Sequence, residues 1–392
     1  MASLQMWRPL ISDRVGPVAD VRFGQDTIHP MVCAMVCAGV CTPPLRCAHG
    51  SRRAAMSTEF GLLTFPAPGL AGVMATAVEA AGWDSLWLAD TQNLAAEVFV
   101  SLGLAAASTS TLGLATGVTN PITRHPAVTA SAIASVQVAS GGRAVLGLGR
   151  GDSSLGFLGG RPASLGVFEQ FLRRVRAYLH GEAADLDGFA STNEWIAAGG
   201  QPPVPIDVAA TGPKVTALAA RHAERVTFAV GADVERLAAA IALVRTERAA
   251  AGLDPASISV GAYVNVVTHP DVEMARSLVR GSAASFAHFS GMDGAPVVAD
   301  GSKAATFAAL GRDYDMADHA KAGSSQGRSL SDEFIDAFAI AGPVPYCIDR
   351  LSELIELGVD RIVMVPGSRD ADMIELLGSI GRLAAEVIPE LR

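Results

Sequence analysis

The chain has 392 residues, half of them apolar and 18% charged, with a net charge of −9. That composition builds a sizeable core, excludes a disordered chain and allows one large domain or two ordinary ones. There is no long basic run, and no apolar stretch of the roughly 20 residues that span a bilayer, so the sequence argues against nucleic-acid and membrane partners.

The first 55 residues read differently from the rest. Cys33, Cys37, Cys41 and Cys47 crowd into them, and only Cys347 lies beyond. A fold stapled by disulfides would spread its cysteines, so the body reads as a reduced, cytoplasmic protein. The cysteine spacing matches no zinc pattern. The apolar stretch 31–40 follows a long segment without a clean basic start, unlike a signal peptide. Residues 1–55 are therefore expected to be a poorly ordered extension, with an upstream start codon as one origin. Residues 56–392 are expected to form one folded domain. The extension carries six Arg and three Asp, so the body is more acidic than the whole chain.

From Phe60 onward, strands alternate with helical patterns. "FGLLTF" precedes "LAGVMATAVEAAGW" (70–83), whose apolar face is read as Val73, Ala77, Val78 and Ala81. "SLWLAD" (85–90) precedes a helix over 95–108. "TLGLATGV" (111–118) precedes the polar loop "TNPITRHP" (119–126) and an Ala-rich helix. "RAVLGLG" (143–149) precedes a helix over 167–181. "PIDVAA", "RVTFAV", "SISVGAYVNVVTH" and "DRIVMVP" open the last four units. Eight strands, each followed by a helix, predict a closed α/β barrel of the (β/α)8 TIM type. Two insertions interrupt it. Residues 182–205 contain Asp187-Gly188, which suits a hairpin turn. Residues 283–334 form a long segment of the kind that supplies lids or binding elements.

In such a barrel, chemistry sits at the carboxyl ends of the strands. That rule selects Asp90 and Thr91 after the second strand, the polar loop after the third, Gly151 and Asp152 after the fourth, and Ala210, Thr211 and Gly212 after the fifth. "GLGRGD" (147–152) is not the dinucleotide G-x-G-x-x-G pattern, and it lies at the wrong strand. Its glycines admit close approach of something flat, and Asp152 is either a helix cap or a functional carboxylate. "ATGPK" (210–214) places backbone N–H groups at a helix start, which is either an anion site or an ordinary cap. Lys214 adds charge there or only coats the helix. His125 reads as a structural hydrogen-bond partner, and Trp83 and Trp87 as packing. No metal-binding spacing occurs. Phe286, His288 and Phe289 either line the site or pack on the barrel.

"AVEAAGWDSLWLAD", "LGLATGVTNPITRHP", "AVLGLGRGDSSLGFLG" and "VAATGPKVTALAARHAERV", in that order, resemble the bacterial luciferase-like monooxygenase superfamily. They look closest to its branch that uses the deazaflavin coenzyme F420, which includes methylenetetrahydromethanopterin reductase-like proteins. The resemblance covers about residues 60–388. It implies hydride transfer between F420 and a small organic substrate. The alternatives are an FMN-dependent monooxygenase and a non-catalytic flavin-binding protein. It implies a non-proline cis peptide at Gly117–Val118 behind the ring, with Thr119 and Asn120 contacting the ring edge. It places the phosphate loop at Ala210, Thr211 and Gly212. The family's acidic residues fall on Asp90 and Asp152, and Asp152 is the candidate acid. It also implies a homodimer. Two positions depart from relatives. Thr91 stands where sugar-phosphate dehydrogenases carry a His, and Ile122 stands where relatives often carry a Tyr.

Overall fold

The computed structural model describes residues 58–292 and 301–392. The extension 1–55 and its cysteines lie outside the described residues. Among the described residues there are eleven strands: β1 (Glu59–Thr64), β2 (Ser85–Leu88), β3 (Gly113–Thr116), β4 (Ala144–Leu148), β5 (Ala184–Leu186), β6 (Phe189–Ser191), β7 (Ile206–Ala210), β8 (Arg225–Phe228), β9 (Ser259–Thr268), β10 (Ile340–Gly342) and β11 (Arg361–Val365). Eight of them pair in parallel around a ring, β1-β2-β3-β4-β7-β8-β9-β11, and β11 closes onto β1. This is the predicted (β/α)8 barrel, with all eight strands where the sequence placed them. β10 is an addition that extends the carboxyl end of β9. β5 and β6 form the expected hairpin. Its turn residues Asp187 and Gly188 both have positive φ, 55° and 95°, which the paired Asp-Gly turn requires.

The barrel interior is filled in layers. At the amino-terminal end, Arg361 and Asp207 form an ion pair of 2.6 Å, with each side chain 1% exposed. The Thr227 hydroxyl donates to Asp207, and Arg361 donates to the Val226 carbonyl and the Ser259 hydroxyl. A Cβ on Gly261 would come within 2.6 Å of Arg361, so that position is kept bare. Above this floor, Trp87 and Tyr263 meet edge to face, with centroids 5.8 Å apart. Burial, with the charge of Asp207, pushes the Tyr263 phenol well above its usual range. Trp83 and Trp87 are both buried packing residues, as read from the sequence.

One helix turns a different face inward from the one expected. Helix Ala71–Ala80 buries Ala71, Met74, Ala75 and Val78 and leaves Val73 49% exposed. Thr76 and Glu79 alone break the apolarity of the helix, so periodicity selects a face only weakly. Met74, with the larger apolar area, decides it. The next helix begins at Val98, three residues later than expected, because Glu97 caps it by accepting from the Val100 N–H at 2.7 Å. The segment 283–291 is not loop. It completes the helix Val272–Gly291.

Glu79 anchors the turn into β3. Its Oε1 accepts from the backbone N–H groups of Ser110, Thr111 and Leu112 at 2.8, 2.6 and 3.0 Å. The Thr111 bond leads in drawing its pKa down from 4.5 to about 2, although burial works in the opposite direction. A depressed folded-state pKa contributes stability that is complete above about pH 4.5 and lost as pH falls through about 2. Glu79→Gln is expected to lower Tm by about 3 °C at neutral pH. By pH 2 the two melting temperatures should converge, as thermal melts across the acid range will show.

Candidate active site

A cavity of about 200 Å³ opens above the Trp87–Tyr263 layer, at the carboxyl ends of the strands. Its wall on the β3–β4 side is unusually bare. Gly117, Val118, Gly149 and Gly151 all line it. The Gly117–Val118 peptide is cis, as the resemblance implied. A Cβ on Gly149 would stand 2.8 Å from Val118 Cγ2, and one on Gly151 (φ 84°) would stand 2.8 Å from Leu155. A side chain at Gly149 would press on Val118 at the cavity wall, and the positive φ of Gly151 with Leu155 beside it favours glycine there.

The polar loop after β3 does something other than expected. Thr119 and Asn120 are fully buried and do not line the cavity. The Thr119 backbone bonds to β4, donating to the Gly147 carbonyl and accepting from the Gly149 N–H. The Asn120 side chain accepts from the Ile122 and Thr123 N–H groups and donates to the Ser154 hydroxyl at 3.1 Å. Its amide thus holds the loop to the segment after β4. Ile122 is exposed and is not part of the cavity. His125 caps the next helix by accepting from the Ala127 N–H, the structural role expected of it.

Arg124 and Asp90 make a second tie. The guanidinium reaches both oxygens of Asp90, at 3.2 and 3.3 Å, and Glu97 at 2.6 Å. Gln92 donates to Asp90 at 2.7 Å. Asp90 lines the cavity, but both its oxygens already accept hydrogen bonds. That arrangement suits a positioned counter-ion better than a proton donor. Burial opposes the Arg124 charge, yet Asp90 and Glu97 raise its pKa overall. A third tie pairs the Thr91 and Ser153 hydroxyls at 3.4 Å.

Only part of the expected phosphate loop reaches the cavity. Thr211 lines it, whereas Ala210 is buried within β7 and Gly212 caps the helix Pro213–His222 from behind. Alternation along the strand accounts for this, since neighbouring side chains face opposite ways. Lys214 is exposed on the helix.

Asp152 lines the cavity, and its side chain caps no helix. Oδ2 is buried without a partner, and Oδ1 lies 3.5 Å from His288 Nε2. The long insertion supplies the surroundings. Phe286 and Phe289 line the cavity, while His288 stands behind Asp152, stacked on Tyr314 with centroids 4.2 Å apart. His319 also lines the cavity, and its Nδ1 meets the Tyr314 hydroxyl at 3.1 Å. Burial lowers the His288 pKa, but the Asp152 hydrogen bond and charge and the Leu310 carbonyl outweigh it, so the net shift is upward. His319 is drawn down to about 4, mainly by burial. Asp152 opposes that shift, and Arg369 and His288 add to it. Sequence reasoning missed Tyr314 and His319, because no period links them to the strand ends.

A closed parallel barrel with its cavity at the carboxyl ends of the strands has the arrangement of (β/α)8 enzymes. The chain belongs to the luciferase-like monooxygenase family, whose sequence profile matches residues 51–361. It is similar to 5,10-methylenetetrahydromethanopterin reductase of Methanolobus tindarius, with 31% identity over 293 residues, 73% of this chain and 86% of that one. It is also similar to F420-dependent glucose-6-phosphate dehydrogenase of Beutenbergia cavernae, with 35% identity over 158 residues, 36% of this chain and 47% of that one. Among solved structures, the coenzyme F420-dependent tetrahydromethanopterin reductase of Methanopyrus kandleri superposes with a TM-score of 0.66 at 24% identity, covering 86% of this chain and all of that one.

Removing Arg124 strands the Asp90 carboxylate, whose side chain is 2% exposed. Arg124→Met is expected to cost about 3 kcal/mol in urea unfolding. Adding Asp90→Asn should restore part of that loss, and strictly additive effects in the double-mutant cycle would contradict the coupling.

Proposed function

We propose that this protein is an F420-dependent oxidoreductase that transfers hydride between the deazaflavin coenzyme and a small organic substrate. The wall of Gly117, Gly149 and Gly151 beside Val118 carries the reading, because three glycines leave that side of the cavity without side chains and present backbone to a flat ring. Similarity to F420-dependent and methylenetetrahydromethanopterin-reducing proteins supports the choice of cofactor. The coenzyme supplies the hydride. The chain does the rest. Thr211, beside the start of the helix Pro213–His222, offers a hydroxyl to the anionic part of the cofactor, and the first-turn N–H groups favour negative charge. Phe286 and Phe289 exclude water from the substrate side. Asp152 is the residue that moves a proton. Asp90 orients the ring-side loops through Arg124. Thr91 stands in the place of the sugar-phosphate dehydrogenases' histidine, so sugar-phosphate oxidation is not proposed. Among the described residues no helix is long and apolar enough to cross a membrane. A cytoplasmic homodimer completes the proposal.

Fluorescence titration of the purified protein with F420, and with FMN in parallel, tests this reading. F420 should bind, and reduced F420 should be oxidised by 5,10-methylenetetrahydromethanopterin used as a probe acceptor. Tight FMN binding with no F420 binding would sink the proposal in favour of an FMN monooxygenase. Gly149→Ala pushes Val118 into the slot and should weaken F420 binding at least about tenfold, on the order of 1.4 kcal/mol, while leaving Tm nearly unchanged.

A further inference from the structure

We propose that Asp152 and His288 form a proton-delivery dyad for this site, with His319 beside them as a hydrogen-bond donor that stays neutral. The inference rests on the reading of the cavity as a hydride-transfer site. Hydride reaching the carbon of a polar double bond leaves an electron pair on the heteroatom, and that atom must take a proton. Few groups around the cavity can give one. Asp90 is tied to Arg124 and Gln92. The Thr91 and Ser153 hydroxyls are paired with each other. Tyr263 holds its proton more tightly than an ordinary phenol, because it is buried near Asp207. Asp152 has one oxygen without a partner and the other facing His288.

The hydrogen-bond partners fix the two imidazoles in different states. His288 has an acceptor at each end of its ring, the Leu310 carbonyl 2.8 Å from Nδ1 and Asp152 3.5 Å from Nε2. A neutral imidazole has one N–H and can satisfy only one of them, whereas the doubly protonated ring satisfies both. The near-parallel ring of Tyr314, at 4.2 Å, also favours a cation. His319 meets the opposite case. Tyr314 Oη accepts from the Ala320 N–H at 3.0 Å, and the dyad assigns its own hydrogen to His319 Nδ1, 3.1 Å away. On that assignment His319 accepts at Nδ1 and carries its hydrogen on Nε2. It is 4% exposed, with Arg369 donating to its carbonyl and Phe289 beside its ring. A third positive charge there is unfavourable. The upward shift of His288 and the downward shift of His319 agree with this assignment. Paired groups driven apart by their surroundings are the usual sign of an acid–base division of labour.

In the reductive direction the π pair of the acceptor moves to its heteroatom as hydride bonds to carbon. The His288 Nε2–H bond breaks, Asp152 carries the proton, and an O–H or N–H bond forms on the product. His288 ends neutral and recovers its proton from water. His319 Nε2–H stabilises the charge as it develops and keeps its hydrogen. Oxidation reverses each transfer. His288 and Tyr314 are positioning residues in this scheme, and Asp152 and His319 touch the substrate.

The test begins on the cofactor-free protein, labelled with nitrogen-15 in its histidines. Single His→Gln variants assign the signals. His288 should show both nitrogens protonated and a midpoint above 6.5, which Asp152→Asn lowers. His319 should show one tautomer, Nε2–H, with no protonation down to about pH 5, and Tyr314→Phe should release that tautomer. A His288 midpoint at or below 6.5, one indifferent to Asp152→Asn, or an Nδ1–H tautomer at His319 overturns the dyad. His288→Gln should also slow single-turnover oxidation of reduced F420 by the methylenetetrahydromethanopterin probe about 100-fold, with F420 affinity within about threefold of wild type. Equal rates in the two proteins overturn the proposal as well. Failure of F420 to bind at all is a different result. It removes the functional reading and leaves the histidine titrations standing.

Discussion

The ion pair between Asp207 and Arg361 is the constraint on which the barrel interior is built. Both groups are almost wholly removed from water, so each depends on the other and on Thr227, Ser259 and the Val226 carbonyl. Removing either partner alone would leave a buried charge. The pair occupies the amino-terminal end of the barrel, and Gly261 gives way to it. Trp87 and Tyr263 form the layer above, with Gly61 bare beneath the indole. The height of that aromatic layer sets the depth of the cavity, and Tyr263 is part of its floor.

Three of the polar contacts above the barrel link its loops in pairs. Asp90–Arg124 joins the segments after β2 and β3, Asn120–Ser154 those after β3 and β4, and Thr91–Ser153 those after β2 and β4. Together they form a closed triangle. The glycine wall lies along one side of it, so the slot keeps its width without bulky side chains to prop it open. This accounts for the Asn and the Arg of "TNPITRHP", whose side chains bond neighbouring segments.

The architecture was legible because each of the eight strands is a short apolar run bounded by turn residues, and the hairpin because Asp187-Gly188 has a stereochemical reason to turn. The end of the barrel that carries the site followed from topology alone. Individual side chains were less legible. Thr119, Asn120, Ala210 and Gly212 lie at the correct strand ends, yet they point or pack away from the cavity, since a strand end offers both orientations within two residues. The face of helix Ala71–Ala80 was weakly marked, because only Thr76 and Glu79 break its apolarity. Tyr314 and His319 come from an insertion whose path no periodic pattern records, and only the fold shows that they approach Asp152.

The helix Val272–Gly291 and the segment after it have a consequence for how such a site diversifies. The barrel contributes the carboxylate and the slot, whereas His288, Tyr314 and His319 all ride on the connection between β9 and β11. The slot with its carboxylate and the aromatic and imidazole rings that face it are therefore carried on separate pieces of chain. A change of length or register in one connection can alter what the carboxylate faces without disturbing a single glycine of the wall.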